Sequence, residues 1–273
     1  MRCCIAALLV CACTAAQAHT PASKPKVPPG TDPGGIAIAI VGYGLDYTDP
    51  EIARRLARDG EGEIIGWDLV DGDNRPYART DIAAPPDGSD GTRLAKLLLS
   101  TYSHARVVPV RIVSFDPPAL SQAMSFVVRT PARIVAFPVS SAAAQDWLRQ
   151  RAGLVSQMLF VVSVVDDRTG PAGERPVEAA PGNLLAVAAD TTLAAQKGTA
   201  EVWIKPQLGV PTTAAEVVVM AAALAGCTQH GREPPAGFEL KADLLALAQP
   251  EANPSGRRLI EPKCPFNRSD RSK

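Results

Sequence analysis

Residues 36–50, IAIAIVGYGLDYTDP, carry the clearest indication of fold in this chain. The first six form an unbroken Ile/Val/Ala run, which predicts a strand buried on both faces of a parallel sheet. The run stops at a Gly-Tyr-Gly turn, Gly42 to Gly44. Asp49-Pro50-Glu51 then supplies the cap, the N1 proline and the first-turn acid of a helix that we expect to continue to Arg58. The turn is therefore expected at the carboxyl edge of a sheet, where open α/β sheets bind ligands.

Apolar strand patterns alternate with helical patterns along the rest of the chain. This alternation predicts an α/β fold of three layers, in which a mainly parallel sheet carries helices on both faces. The predicted strands are residues 36–41, 63–70, 105–113, 132–140, 157–165, 183–190 and 200–205. The predicted helices after the first are residues 91–101, 118–130, 143–154, 213–226 and 241–249. Helix 213–226 is apolar on nearly every face, so we expect it to be buried.

The overall charge is balanced, with 28 Lys and Arg against 28 Asp and Glu in 273 residues. A balanced chain is not expected to have nucleic acid or an anionic membrane as its main partner. Asp68, Asp71 and Asp73 form an acidic cluster, which we interpret as a solvated loop. We therefore expect no metal and no cofactor.

The first eighteen residues have the features of a secretory signal peptide. Arg2 provides the positive start, a short apolar core follows, and Ala16-Gln17-Ala18 is an A-x-A cleavage site. We therefore expect an exported protein, periplasmic or secreted, that begins near His19 and has no transmembrane segment. Lipidation at Cys11 or Cys13 is the weaker alternative. Residues 19–34 are Pro-rich and predict a linker or extended arm.

Two cysteines, Cys227 and Cys264, remain after the signal peptide. In an oxidising compartment they predict a disulfide, and two free buried thiols are the alternative. The bridge would close a loop of about 38 residues and contribute roughly 3–4 kcal/mol. We divide the mature chain into an α/β domain at residues 35–227 and a C-terminal extension at residues 228–273, packed on that domain.

The Gly-Tyr-Gly turn does not fit a nucleotide site. A dinucleotide fingerprint needs a third glycine for close packing of helix on strand, and Tyr47 occupies that position. The Gly-Lys-Ser/Thr sequence of a phosphate loop is also absent.

Seven segments taken in chain order suggest a different comparison. They are GLDYTDPEI (44–52), GWDLVDGDNRP (66–76), SDGTRLA (89–95), ARVVPVRIV (105–113), LFVVSVVDD (159–167), VWIKP (202–206) and PTTAAEVVVMAAAL (211–224). In this order they resemble the motifs of the subtilases, the subtilisin-like serine proteases. The resemblance covers about residues 36–226 and implies a subtilisin-like fold.

The resemblance also assigns the family's catalytic positions, and all of them are changed in this chain. The triad aspartate falls at Gly42, the base histidine at Asp90, the nucleophilic serine at Thr212 and the oxyanion-hole asparagine at Asp166. Asp46 matches a second, non-catalytic aspartate that is expected to cap the turn. An aspartate is a poor base at neutral pH, and an ionised Asp166 would repel a developing oxyanion.

These substitutions favour a pseudoprotease, a non-catalytic binding or scaffolding domain whose partner is an unidentified protein or peptide of the envelope. Pro138 removes a backbone donor where the family pairs with peptide substrate, which agrees with lost proteolysis. One alternative is a weak acid endopeptidase that uses Thr212, Asp90 and Asp166, as the related sedolisins imply. Another is a small-ligand binder at the carboxyl ends of the strands.

Overall fold

The computed structural model describes residues 24–78, 91–138, 142–163, 181–189, 201–204, 213–228, 235–247, 249–250 and 257–258. The strands are β1 (Ile36–Gly42), β2 (Trp67–Asp68), β3 (Ala105–Arg111), β4 (Ile134–Phe137), β5 (Leu159–Ser163), β6 (Leu184–Ala189), β7 (Val202–Ile204), β8 (Gln249–Pro250) and β9 (Arg257–Arg258). The helices are α1 (Pro50–Ala53), α2 (Gly91–Thr101), α3 (Pro117–Val127), α4 (Ala142–Arg151), α5 (Thr213–Thr228) and α6 (Gly237–Leu247).

All the described strands belong to one sheet, with the order β2-β3-β1-β4-β5-β6-β7-β9-β8. Every described pairing between two of these strands is parallel except that of β8 with β9. The third strand in this order, β1, pairs with β3 from Ile36↔Ala105 to Gly42↔Arg111. The mainly parallel α/β sheet predicted from the sequence is therefore confirmed, and β1 and β3 end level with each other at its carboxyl edge.

The sheet lies between two layers of helices. Alternate residues of β1 point to opposite faces, as the pleat of a strand requires. Ile36, Ile38 and Ile40 join the core beneath α2, α5 and α6, whereas Ala37 and Ala39 join the core beneath α3 and α4. The prediction of helices on both faces is confirmed.

The first predicted helix is shorter than expected. It ends at Ala53 instead of continuing to Arg58, because the following residues pair with strands instead. Leu56 forms a bridge with Val107, and Arg58 forms one with Ile64. The strand predicted at residues 63–70 is likewise reduced to Trp67–Asp68. Both differences reflect tertiary pairing that overrides a local helical or strand preference.

The later helices lie close to their predicted positions. Helix α2 has the predicted bounds, and α5 is buried through Val217, Val218 and Ala221. Helix α6 begins at Gly237, four residues before the predicted start. Its buried Lys241 donates to the carbonyl oxygen of Leu184 at 2.6 Å. None of the helices in the described part of the chain is long and apolar enough to cross a membrane.

Residues 24–34 of the Pro-rich arm have no regular secondary structure but contact the domain. The carbonyl oxygen of Pro25 accepts a hydrogen bond from Tyr47 Oη at 2.7 Å, and that of Pro28 accepts one from Arg58 Nη2 at 2.7 Å. Tyr47 and Arg58 are both buried. This part of the arm is therefore held by hydrogen bonds and does not act as a free linker.

Candidate functional site

The candidate site begins at the carboxyl end of β1, where Gly42 is the last residue. The pleat puts Gly42 on the same face as Ile38 and Ile40, the face covered by α2 and α5. A Cβ atom added at Gly42 would meet Pro138 Cγ at 3.5 Å, an ordinary van der Waals contact. The position could therefore hold a side chain directed towards these helices, but Gly42 provides none.

The turn after β1 is filled by protein backbone. Gly44 has a positive φ of 96°, and a Cβ atom there would lie 2.9 Å from Ala78 N and Pro76 O. Leu45 N donates to Pro76 O at 3.1 Å, so residues 76–78 pack directly against the turn. Glycine is required at position 44 because of this close backbone approach. The packing supports the conclusion that this turn is no phosphate cradle.

Helix α2 starts beside the same turn. Gly91 N donates to Gly44 O at 2.9 Å, and Asp46 N donates to Thr92 Oγ1 at 2.9 Å. Asp46 Oδ1 in turn accepts from Thr48 N at 2.9 Å, so this carboxylate caps the turn as expected. The amino terminus of α2 is therefore fixed next to the end of β1.

Three of the four sequence-predicted catalytic positions, Asp90, Asp166 and Thr212, lie outside the described residues. In the chain, Asp90 directly precedes α2, Thr212 directly precedes α5, and Asp166 is three residues beyond the end of β5. Helix α5 packs against α2, β1 and β4. The predicted disulfide cannot be placed either, because Cys264 and the side chain of Cys227 are outside the described part of the chain.

His104 lies at the opposite edge of the sheet. It is an exposed residue whose carbonyl oxygen accepts from Ile36 N at 3.1 Å, at the start of β1. Gly42 is six residues further along the strand, which at about 3.3 Å per residue is a distance of about 20 Å. His104 therefore cannot act as a base at the carboxyl edge.

The acidic cluster is part of a buried ion network that sequence reasoning missed. Lys24 Nζ lies 2.6 Å from Asp68, 2.8 Å from Asp71 and 2.9 Å from Asp73. Arg111 Nη1 lies 2.7 Å from Asp68 and 3.1 Å from Asp71. The Asp68 side chain is 0% exposed, so the interpretation of a solvated loop is wrong for this residue. Lys24 and Arg111 therefore supply the positive charges that pair with these three carboxylates.

The charges of this network reinforce one another. The hydrogen bond from Lys24 holds the pKa of Asp71 below its usual value. Burial alone would raise the pKa of Asp73, but its contacts with Lys24 and Arg75 lower it overall. Burial opposes the charge on Lys24 as well, yet its three carboxylate partners raise its pKa. A charged Arg111 directly after the apolar run at residues 107–110 was the sequence signal that could have revealed the network.

Next to the network, the carboxyl edge exposes apolar side chains. Val113 is 61% exposed and Val70 is 39% exposed, while Tyr43 and Phe115 meet edge to face at 5.6 Å. β3 ends at Arg111 and α3 begins at Pro117, so only five residues, all of them described, connect the two elements. Among the described residues, no cluster of His, Cys, Asp and Glu suits a metal ion.

Comparison with solved structures identifies several proteins of similar fold. A lanthipeptide protease has a TM-score of 0.52 at 14% identity, with 80% of this chain and 83% of that chain covered. A cold adapted subtilisin-like serine proteinase has a TM-score of 0.51 at 13% identity, covering 85% of this chain and 91% of that one. A mutant of the protease domain of PatA has a TM-score of 0.51 at 16% identity, covering 83% and 93%.

Neither the family models nor the curated proteins contain a match to this chain. At 13–16% identity, the structural likeness is evidence for a shared fold and carries no information on shared chemistry.

Proposed function

We propose that this chain, which has the subtilisin-like fold, is a non-catalytic module that binds a protein or peptide at the carboxyl edge of its sheet. The observation that carries the proposal is Gly42. It occupies the strand end that the resemblance assigns to the triad aspartate, with room for a side chain and none present. A serine hydrolase needs a carboxylate there to orient and stabilise its base.

The other positions assigned by the resemblance point in the same direction. Asp90 replaces the base, and a carboxylate of ordinary pKa near 3.9 accepts a hydroxyl proton poorly at neutral pH. Asp166 replaces the oxyanion donor, and a negative charge there opposes a contribution usually worth about 3–4 kcal/mol. With all these catalytic groups replaced, binding is the role that we propose for this edge.

The exposed surface of this edge supports a binding role. Val70 directly follows Leu69, whose N donates to Arg111 O at 2.9 Å, and Val113 is two residues after Arg111. The ion pair between Arg111 and Asp68 holds these two strand ends together. Exposed apolar side chains on a rigid frame are typical of a protein-binding surface.

The partner is proposed to bind through side chains and not by adding a strand to the sheet. Only residues 112–116 connect β3 to α3, and Asp116 already caps α3 by accepting from Ala119 N at 2.8 Å. Pro138, at the end of β4, has no N–H to donate. Both features reduce the backbone groups that an extended peptide needs for strand addition.

We also propose that the chain is exported and processed after Ala18. The support is the charged start, the apolar core and the A-x-A site of residues 1–18. N-terminal sequencing of protein expressed with its own leader tests this directly. A mature chain that starts at His19 in the periplasm or medium is expected, and an uncleaved cytoplasmic chain would refute export.

The catalytic alternative is tested with purified protein from pH 3 to pH 8. Casein and a quenched peptide library serve as substrates for the natural chain, Thr212→Ala and Asp90→Asn. We expect no turnover from any of the three. Turnover at acid pH that Thr212→Ala abolishes would replace our proposal with an acid endopeptidase that uses Thr212, Asp90 and Asp166.

The binding surface is tested by cross-linking in the envelope fraction with the natural chain and two matched variants. Val113→Asp places a charge on the carboxyl edge, whereas Val128→Asp changes a valine at the end of α3 that is 43% exposed. We expect Val113→Asp to lose the cross-linked species and Val128→Asp to retain it. Equal cross-linking by both variants would argue against this edge.

A further inference from the structure

The loop that follows β2, residues 69–73, carries one of the two exposed valines of the proposed binding surface. This valine, Val70, is 39% exposed. The Asp68 carboxylate organises the loop, because its Oδ1 accepts from Val70 N at 2.9 Å and from Asp71 N at 3.1 Å. Asp68 N donates to Asp73 O at 2.7 Å and closes the loop at its other end. The position of Val70 therefore depends on where the Asp68 carboxylate is held.

The second oxygen of the same carboxylate is held by two cations. Asp68 Oδ2 accepts from Arg111 Nη1 at 2.7 Å and from Lys24 Nζ at 2.6 Å. Arg111 belongs to the sheet, whereas Lys24 comes from the Pro-rich arm. The Lys24 ammonium also lies 2.8 Å from Asp71 and 2.9 Å from Asp73. One group of the arm thus joins the base of the loop to the loop's own two carboxylates.

The arm runs along the length of β3 to reach this loop. At the start of β3, Arg55 donates to Ala105 O at 2.7 Å and to the oxygen of Gly34, the last residue of the arm, at 3.3 Å. At the other end, Lys24 pairs with Asp68 beside the last residue of β3. Between these points the arm has no regular secondary structure, so its course is set by its contacts with the domain. Release of the arm would therefore withdraw Lys24 from the network.

The charge balance indicates what this withdrawal would do. Without Lys24, the three carboxylates keep two cations, Arg111 and Arg75. Arg75 is 44% exposed and pairs with Asp73 at the rim. Asp68 and Asp71 would then share the single guanidinium of Arg111. Repulsion between neighbouring carboxylates would favour a more open loop.

We propose that the docked arm positions the loop after β2 through Lys24 and thereby keeps Val70 presented to the partner at the carboxyl edge. Lys24 is a positioning residue, because its side chain is only 6% exposed and it acts through Asp68. Partner binding is thus tied to a segment outside the sheet, and release of the arm weakens it. The role of Val70 rests on the proposed function, whereas the positioning of the loop does not.

The positioning is tested by hydrogen exchange of the Val70 and Asp71 amides in the purified mature chain at pH 7. Lys24→Met should raise both exchange rates roughly tenfold, because the loop opens without unfolding of the whole chain. Tyr47→Phe is a second, milder variant. It removes the hydrogen bond to Pro25 O, next to Lys24, and leaves the charges of the network in place. It should raise the same rates about threefold by loosening the arm.

Lys241→Met is the matched control. The Lys241 side chain is 6% exposed, as is that of Lys24, but it donates to Leu184 O at the start of β6, five strands from β2 in the sheet. Its loss should lower the stability of the chain and leave exchange at Val70 and Asp71 unchanged, because these amides open locally. An equal rise in the control would mean that exchange follows overall stability and would overturn the proposal.

Partner binding is measured separately, by cross-linking in the envelope fraction. Lys24→Met should reduce the cross-linked species about fivefold, because the apparent affinity falls with the fraction of chains that present Val70. Lys241→Met should retain it.

The two measurements distinguish the possible failures. Unchanged amide exchange in Lys24→Met would overturn the positioning of the loop. Faster exchange with full cross-linking would overturn the dependence of partner binding on the arm. A natural chain that gives no cross-linked species would instead refute the proposed function, and amide exchange alone would then decide whether Lys24 positions the loop.

Discussion

Two strand ends that lie side by side at the carboxyl edge have opposite chemistry. β3 ends at Arg111, a buried guanidinium that pairs with Asp68 and Asp71. Its partner in the sheet register, Gly42 at the end of β1, has no side chain. This edge therefore has the charges that hold its strands together, while the adjacent strand ends in a glycine at the position to which our proposal assigns the triad aspartate.

The contrast separates structural from chemical roles at one edge. Charges buried at the end of β3 are expected to be important for folding, because each is paired and would lose part of its compensation if a partner were removed. The empty position at Gly42 is expected to have little importance for folding. Substitutions at both strand ends therefore test whether the stability of the sheet depends on the buried charges and not on the residue at position 42.

The largest effect is expected for Arg111→Met. The substitution leaves Asp68, which is fully buried, with one cation fewer, and breaking a buried pair in this way typically costs about 3–5 kcal/mol. The free energy of unfolding is measured by urea titration at pH 7. Arg75→Met is the matched control, since Arg75 is 44% exposed and pairs with Asp73 at the rim. It should change stability by less than about 0.5 kcal/mol. Similar losses of unfolding free energy in the two variants would contradict the greater importance of the buried ion pair.

A smaller effect, about 2 kcal/mol at pH 7, is expected for Lys24→Met. Lys24 is nearly buried, but its partners Asp71 and Asp73 are partly exposed, so solvent screens part of the interaction. The same urea titration measures it. The variant should also make the arm at residues 24–34 more sensitive to proteolysis, because Lys24 is its outermost described contact. An unchanged cleavage rate would show that the other contacts of the arm hold it on the domain without Lys24.

The effect of Lys24→Met should depend on pH. The pKa values of Asp71 and Asp73 are lowered in the folded chain, so their contribution is present above the unfolded value of about 3.9 and is lost as pH falls through the folded values. The pKa of Lys24 is raised, so its contribution is complete below about 10.4 and is lost only at higher pH. Urea titrations should therefore give a constant stability difference from pH 5 to pH 9 that shrinks below about pH 4. A constant difference down to pH 3 would contradict the ionic origin.

Most of the fold could be predicted because its determinants are local. The run at residues 36–41 and the strands that follow are apolar in the pattern of a parallel sheet, and α2 has the bounds that its pattern indicated. The helix predicted to Arg58 was wrong because Leu56 pairs with Val107, about fifty residues away in sequence. A local pattern does not report such a partner.

The ion network was missed for the same physical reason. Lys24 lies in a Pro-rich segment and is separated from Asp68 by 44 residues, so neither residue indicates the other in sequence. By contrast, the end of β1 at Gly42 was found because a strand end follows directly from the apolar run. The position of a strand end can be predicted from the local sequence pattern, whereas a contact between distant segments depends on the tertiary structure.

The smallest effect is expected for Gly42→Asp, which adds only the carboxylate that our proposal finds missing at this position. The φ of Gly42 is outside the left-handed region, and a Cβ atom would have an ordinary contact with Pro138. We therefore expect the free energy of unfolding to change by less than about 1 kcal/mol, with Gly42→Ala as the control for side-chain size. No hydrolysis should appear, because a carboxylate without a histidine base cannot activate a hydroxyl. A stability loss as large as that of Arg111→Met would mean that Gly42 is required by the frame, and the two strand ends would then have the same role.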